Sequence, residues 1–363
     1  MALNFKNSKF KILQIADTQE GKRISPDTMA LIEKAIEKEN PDLVVYSGDQ
    51  IWGKTTFKGN KKEVERVLRA LTAPVTNKKI PFSICFGNHD RQVGVSNEEQ
   101  FEIYKKIEGF IGEDTKGIDG VGNQVIEIKE DNEPKFLLYL IDSHTGLKVG
   151  YDNVHQNQID WYKKTRDEYE QKYGHVIPSV VIQHIPVPEI VELLVEVKKG
   201  TDGAVQGFRN HKGKWYILNK DKVNADGFML ESPADPMENS GEFAAMTEKG
   251  DVKGMYFGHD HNNSFHGLVN GVDLGYTQGA GFHVYGPHLD RGVRIINLDS
   301  NGTIDTYDLR YKDIVGKKVK EKIRYALFKI MPTNVYDAIH RGIKIAVVLV
   351  AIIALILLLA YFI

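Results

Sequence analysis

Residues 81–90 read PFSICFGNHD, an apolar run that breaks at a glycine into an amide, an imidazole and a carboxylate in direct succession. The same construction recurs along the chain. KFKILQIA (9–16) gives way to Asp17-Thr18-Gln19, DLVVYSG (42–48) to Asp49, SVVIQ (179–183) to His184, and GMYF (254–257) to Gly258-His259-Asp260-His261. Short apolar runs bounded by turn formers have the pattern of strands buried on both faces. In an open α/β sheet, loops at the carboxyl ends of such strands converge on one crevice. The separated motifs are therefore expected to meet, bringing carboxylates, an amide and imidazoles together.

Working outward, helix-like stretches separate these strands. SPDTMALIEKAIEKEN (25–40) offers a cap at Ser25 or Asp27 with Pro26 in the first turn, and KKEVERVLRALTAP (61–74) is expected to end at Pro74. NEEQFEIYKKIEGF (97–110) and HQNQIDWYKKTRDEYEQKYG (155–174) are further helices, the second closed by Gly174. QVIEIKE and KFLLYLID predict a strand pair turning at Asp131-Asn132-Glu133-Pro134. Beyond residue 250 the pattern is mostly strands. An alternating first half and a strand-rich second half predict an α/β fold of two packed sheets with helices outside. Residues 200–245, largely turn formers and polar residues, are expected to form a lid or substrate-facing wall.

Composition narrows the classes. A net charge of −2 over 363 residues gives no reason to expect nucleic acid as a partner. The single cysteine, Cys85, sits inside FSICF and reads as a core residue, which fits a reducing compartment. The N-terminal MALNFKNSKFKILQ lacks the apolar stretch of a signal peptide. The C-terminal run Ile345–Ile363 is apolar throughout, close to a bilayer's length, with Arg341 and Lys344 just before it. A C-terminal transmembrane anchor with a cytosolic domain is expected, the short span favouring the endoplasmic reticulum. Ahead of it, Lys317, Lys318, Lys320, Lys322, Arg324 and Lys329 accompany Val319, Ile323, Leu327 and Ile330 at helical spacing. This predicts a basic amphipathic helix lying on an anionic leaflet. The chain divides into a domain over 1–315, a juxtamembrane segment over 316–342 and an anchor over 343–363.

The polar motifs suit two cations about 3.5–4 Å apart. Asp49 is the natural bridge, with Asp17 and His261 on the first cation and Asn88, His184 and His259 on the second. A hydroxide between the cations serves as nucleophile, and His89 protonates the leaving oxygen. Asp90 and Asp260 are expected to orient imidazoles, and Arg91 to contact a substrate phosphate. His144, His155, His266 and His283 match none of the motifs and are expected to be structural.

This set resembles the calcineurin-like metallophosphoesterase superfamily over roughly residues 8 to 310. HIPVPE (184–189), NSGEF (239–243), DVKGMYFGHDHNNSFHG (251–267) and GYTQGAGFHVYG (275–286) resemble the branch of plant purple-acid-phosphatase-29-type and fungal Dcr2-type phosphatases. The resemblance implies a four-layer α-β-β-α sandwich, metal ligation by Asp17, Asp49, Asn88, His184, His259 and His261, and His89 as catalytic acid. Two positions depart from it. Gln19 stands where Asp-x-His is usual, an amide oxygen that favours Mn²⁺ or Mg²⁺ over iron or zinc at the first position. Trp52 stands where purple acid phosphatases carry a ligating tyrosine, so no coloured tyrosinate–iron centre is expected.

The expected function is a membrane-anchored hydrolase of phosphate monoesters on a protein, nucleotide or lipid headgroup. The alternatives are a catalytically weakened scaffold, for which Gln19 speaks, and a phosphodiesterase. The sequons at Asn262 and Asn301 are read as chance occurrences, and the oligomeric state is left open.

Overall fold

In the computed structural model, which describes residues 3–52, 59–330 and 335–362, two sheets pack face to face with helices on their outer sides. The smaller sheet has five strands in the order Ile304–Arg310, Gly292–Asp299, Lys9–Ile15, Leu43–Ser47 and Phe82–Cys85. Its last three strands run parallel, and Gly292–Asp299 joins antiparallel with Arg294 opposite Gln14. The larger sheet has eight strands, with Glu133–Ile141, Ser179–Gln183, Val252–Phe257 and Val272–Tyr276 parallel at its centre.

The continuous apolar runs follow from burial on both faces. On one side of Lys9–Ile15, Leu13 and Ile15 pack with Leu31 of the Pro26–Glu39 helix and Leu68 of the Lys61–Asn77 helix. On the other, Phe10 and Ile12 join Leu43, Val45 and Cys85 against Phe136, Leu138 and Ile182 of the second sheet. Tyr139, Val181 and Met255 form the outer face of that sheet and meet Ile159 and Tyr162 of the Gln156–Tyr173 helix. Four layers result, α-β-β-α, and Cys85 lies buried between the two sheets.

Local signals account for most boundaries. Ser25 accepts hydrogen bonds from the amides of Asp27 and Thr28, and Gly174 at φ 77° closes its helix. Asp131 and Asn132, both left-handed, make the tight turn of the strand pair. Pro74, however, does not end its helix, which runs Lys61–Asn77. A proline removes one i→i−4 bond, and here the loss falls in the last turn, where Pro74 is buried beside Leu71 and Val75. The 200–245 stretch is also more ordered than its composition suggests. Trp215–Leu218 pairs with Leu194–Glu196 on one side and Val205–Gln206 on the other in a small antiparallel sheet, and Phe228–Met229 adds to the edge of the larger one.

After the last sheet strand, Val319 is buried in the core, and both oxygens of Asp27 accept from the amide of Lys320, Oδ2 also from that of Glu321. A helix, Lys322–Ile330, then leaves Ile323 and Leu327 exposed. The side chains of Lys329, Ile330 and residues 357–363 lie outside the described set. The helix Val335–Phe362 contains, over Ala338–Ile356, the one span among the described residues long and apolar enough to cross a membrane, with mean hydropathy 2.3 and none of it buried in the protein.

Candidate metal centre

The motifs that end Lys9–Ile15, Leu43–Ser47, Phe82–Cys85, Ser179–Gln183 and Val252–Phe257 converge on one point. Ligand atoms of Asp17, Asp49 and His184 lie within 4.8 Å of one another, all three residues buried. The turns that achieve this are tight. Asp17, Gln19, Asp49 and His259 have φ of 52°, 41°, 53° and 73°, the left-handed region that non-glycine residues adopt at a cost and mostly at functional sites. The backbone helps to hold them: the His259 amide donates to Asp17 Oδ2 at 2.9 Å, and the His89 amide donates to Asp49 Oδ1 at 2.7 Å. Gly258 is required where the strands crowd the centre, because a Cβ there would stand 2.8 Å from Asp17 Oδ2 and 3.2 Å from His184 Nδ1.

The imidazoles are oriented from behind. His184 Nδ1 lies 3.0 Å from the Ser47 carbonyl and His261 Nδ1 lies 3.1 Å from that of Tyr285, so each donates outward and turns Nε2 to the centre. His184 Nε2 then lies 3.2 Å from Asn88 Oδ1 and 3.5 Å from Asp49 Oδ2, and His261 Nε2 lies 3.2 Å from Asp17 Oδ1. Asp17 Oδ1 and His259 Nε2 are buried without a hydrogen-bond partner. Ligand atoms drawn this close, two of them left unsatisfied, are the arrangement that bound cations would relieve, so the donor set fits them.

The electrostatics agree. Burial pulls the His184 imidazole down, but the charges of Asp49 and Asp17 outweigh it and push it up to about 10. Burial pushes Asp49 up, yet His184 and His89 hold it well below the usual carboxylate range. Burial and the neighbouring His184 charge keep His259 well below its ordinary value, neutral and ready to donate its lone pair. A site that raises a buried imidazole this far favours positive charge, which a metal ion would supply in place of the proton.

Three expected roles change. Asp90 orients no imidazole. Its Oδ2 accepts from the amides of Asp49 and Gly87, and its Oδ1 from those of Gln50 and Ile51, so it clamps the two turns that carry Asp49 and Asn88. Asp260 accepts from the Ala234 amide at 3.0 Å. Arg91 lines a neighbouring groove with His144 and Asp152 and not the cleft over Asp49. Asn262 is fully buried, which excludes a glycan there.

A cleft of about 110 Å³ opens over Asp49, His89, His259 and His261. Its walls include residues that carried no signal in the sequence. Tyr151 meets His259 edge-on at 4.3 Å, and Tyr285 stacks on His261 at 4.3 Å. Phe208 and Ser232 come from the 200–245 stretch, as expected of a substrate-facing wall. Trp52 packs edge-on against His89 at 5.8 Å.

Behind His184, the Gln183 amide donates to Glu242 Oε2 at 3.4 Å, and burial pushes the Glu242 carboxyl up to about 8. Its folded value therefore lies above the unfolded 4.5, so the protonated form stabilises fully below pH 4.5, and that contribution fades as pH rises towards 8. Glu242→Gln is expected to raise stability by about 2 kcal/mol at pH 8 and little at pH 5. Chemical unfolding at the two pH values checks this, and parallel pH dependence in the two proteins would count against it.

Two sheets in an α-β-β-α sandwich, with a buried carboxylate–amide–imidazole cluster at the strand ends, define the dimetal phosphoesterase class. The calcineurin-like phosphoesterase profile matches residues 10–263, and the chain belongs to that family. Among curated relatives, the "Probable inactive purple acid phosphatase 14" of Arabidopsis thaliana is 28% identical over 339 residues, covering 82% of this chain and 77% of that protein. The phosphatase DCR2 of Saccharomyces cerevisiae is 28% identical over 286 residues, covering 71% of this chain and 45% of that protein. Among solved structures, a dimetal phosphatase from Danio rerio superposes with a TM-score of 0.50 at 14% identity, over 83% of this chain and 99% of that one, and so shares its fold.

Proposed function

We propose that the chain is a phosphoesterase that hydrolyses phosphate monoesters on the cytosolic side of a membrane, the endoplasmic reticulum in the first instance. The observation that carries this is the buried cluster at Asp49, whose carboxylate lies within 3.5 Å of His184 Nε2 and 2.8 Å of Gln19 Nε2 while Asp17 Oδ1 and His259 Nε2 lack partners. Asp17, Gln19, Asp49 and His261 would hold one divalent cation and Asp49, Asn88, His184 and His259 another, Mn²⁺ or Mg²⁺ by their oxygen-rich donors. Bound there, the cations would supply Lewis-acid polarisation of the phosphate and a water of lowered pKa.

The chain's own residues do the rest. His89 Nδ1 lies 2.9 Å from Gln92 Oε1 and donates to it, so Nε2 faces the cleft 3.9 Å from Asp49 Oδ2, placed to deliver a proton to the leaving oxygen. Asp90 keeps the Asp49 and Asn88 turns in register. Phe208, Tyr151 and Tyr285 narrow the cleft and limit water around the reacting group. The apolar Ala338–Ile356 span supports an anchor, and exposed Ile323 and Leu327 on a basic helix support a surface contact with lipid.

The test uses the full chain in detergent micelles, stripped of metal and resupplied with Mn²⁺ or Mg²⁺. p-Nitrophenyl phosphate is expected to be hydrolysed only after metal is restored, and bis-p-nitrophenyl phosphate much more slowly. The reverse preference would favour a phosphodiesterase. Binding of Mn²⁺ without turnover on either ester would favour a scaffold.

A further inference from the structure

Gln19 replaces the usual imidazole, and its carboxamide lies among the donors of the first cation position. Its Nε2 is 2.8 Å from Asp49 Oδ2 and 3.2 Å from His261 Nε2, and the side chain is buried. The Asp49 carboxylate accepts from Nε2, which sets the amide with its NH₂ inward and its oxygen outward. An amide NH₂ donates hydrogen bonds and offers a metal no lone pair, so only Oε1 can ligate. The first position is thus already bridged by a neutral group that does part of a cation's work. At the second position the ligand atoms already face inward: His184 Nε2 lies 3.2 Å from Asn88 Oδ1, and His259 Nε2 has no hydrogen-bond partner.

We infer that the two positions load unequally, the Asp49–Asn88–His184–His259 position filling first and the Gln19 amide holding the other shut until a second cation turns it over. The concentration of divalent cation then switches the centre from mononuclear to dinuclear. The inference rests on the metal-centre reading proposed above. Turning Oε1 inward sacrifices the hydrogen bond from Nε2 to Asp49, which weakens the second step about tenfold or more. Gln19→His restores a lone pair at this corner, whereas Gln19→Leu removes both the bridge and the ligand.

The experiment is a Mn²⁺ titration of the full-length chain in detergent micelles, followed by electron paramagnetic resonance, which separates isolated from paired Mn²⁺. The natural protein is expected to show isolated Mn²⁺ up to one equivalent and the paired signal only at about tenfold higher free Mn²⁺. Gln19→His should bring the paired signal in from the earliest additions, and Gln19→Leu should retain one isolated ion. Paired Mn²⁺ from the outset in the natural protein, or a second step that Gln19→His leaves unmoved, overturns the inference alone. Failure of both the natural protein and Gln19→His to bind Mn²⁺ overturns the metal-centre reading as well.

Discussion

Asp49→Asn in the full chain is expected to lower metal-restored turnover by about 10³-fold or more, since losing this charge costs several kcal/mol of transition-state stabilisation. Asp49 touches every part of the centre: Oδ2 faces Gln19, His184 and His89, and Oδ1 accepts from the His89 amide. The substitution is nearly isosteric, so the amide–Oδ1 bond can persist while the negative charge is lost. His184 loses the carboxylate that does most to hold its proton and returns towards an ordinary imidazole. Turnover and Mn²⁺ binding should fall together, with thermal unfolding little changed. Retention of more than a tenth of the activity would remove Asp49 from the role of shared ligand.

Asp90→Ala is expected to act on the fold instead, destabilising the protein by upwards of about 4 kcal/mol because four amide donors lose their acceptor. The carboxylate is fully buried, so water cannot simply replace it. Asp90→Asn keeps one oxygen for two of the four donors and should fall between the parent and the alanine variant. Thermal unfolding followed by circular dichroism reads the series. A loss under about 1 kcal/mol for Asp90→Ala would show that the turns hold without it.

The contrast between these two aspartates shows what the sequence made legible. Asp49 and Asp90 each follow a glycine-closed strand within a short polar motif, and the motif alone assigns both to the centre. What separates them is direction. Asp49 sits in a left-handed turn that aims its carboxylate at the imidazoles, whereas Asp90 opens a short 3₁₀ turn and points back under the neighbouring loop. Strand runs such as DLVVYSG were plain because burial on both faces leaves no polar alternation to misread. Pro74 misled because a rule for helix interiors was applied to a last turn, where side-chain burial outweighs one missing hydrogen bond. The small sheet around Trp215–Leu218 was hidden because its strands are two to four residues long and form only by pairing with Leu194–Glu196 and Val205–Gln206 across irregular connections. Tyr151 and Tyr285 reach the centre by tertiary packing alone, and no spacing announces that.

The fastening of residues 319–321 to the body bears on how far the proposed anchor lets that body reach. Glu321 is held by His283 at 2.6 Å and Arg23 at 2.7 Å, besides the grip of Asp27 on its amide. Residues 316–330 therefore add little slack. On the proposed anchor, this fastening would hold the body close to the membrane surface. Its substrates would then be groups carried on the same membrane, met at the millimolar effective concentrations that short tethers impose.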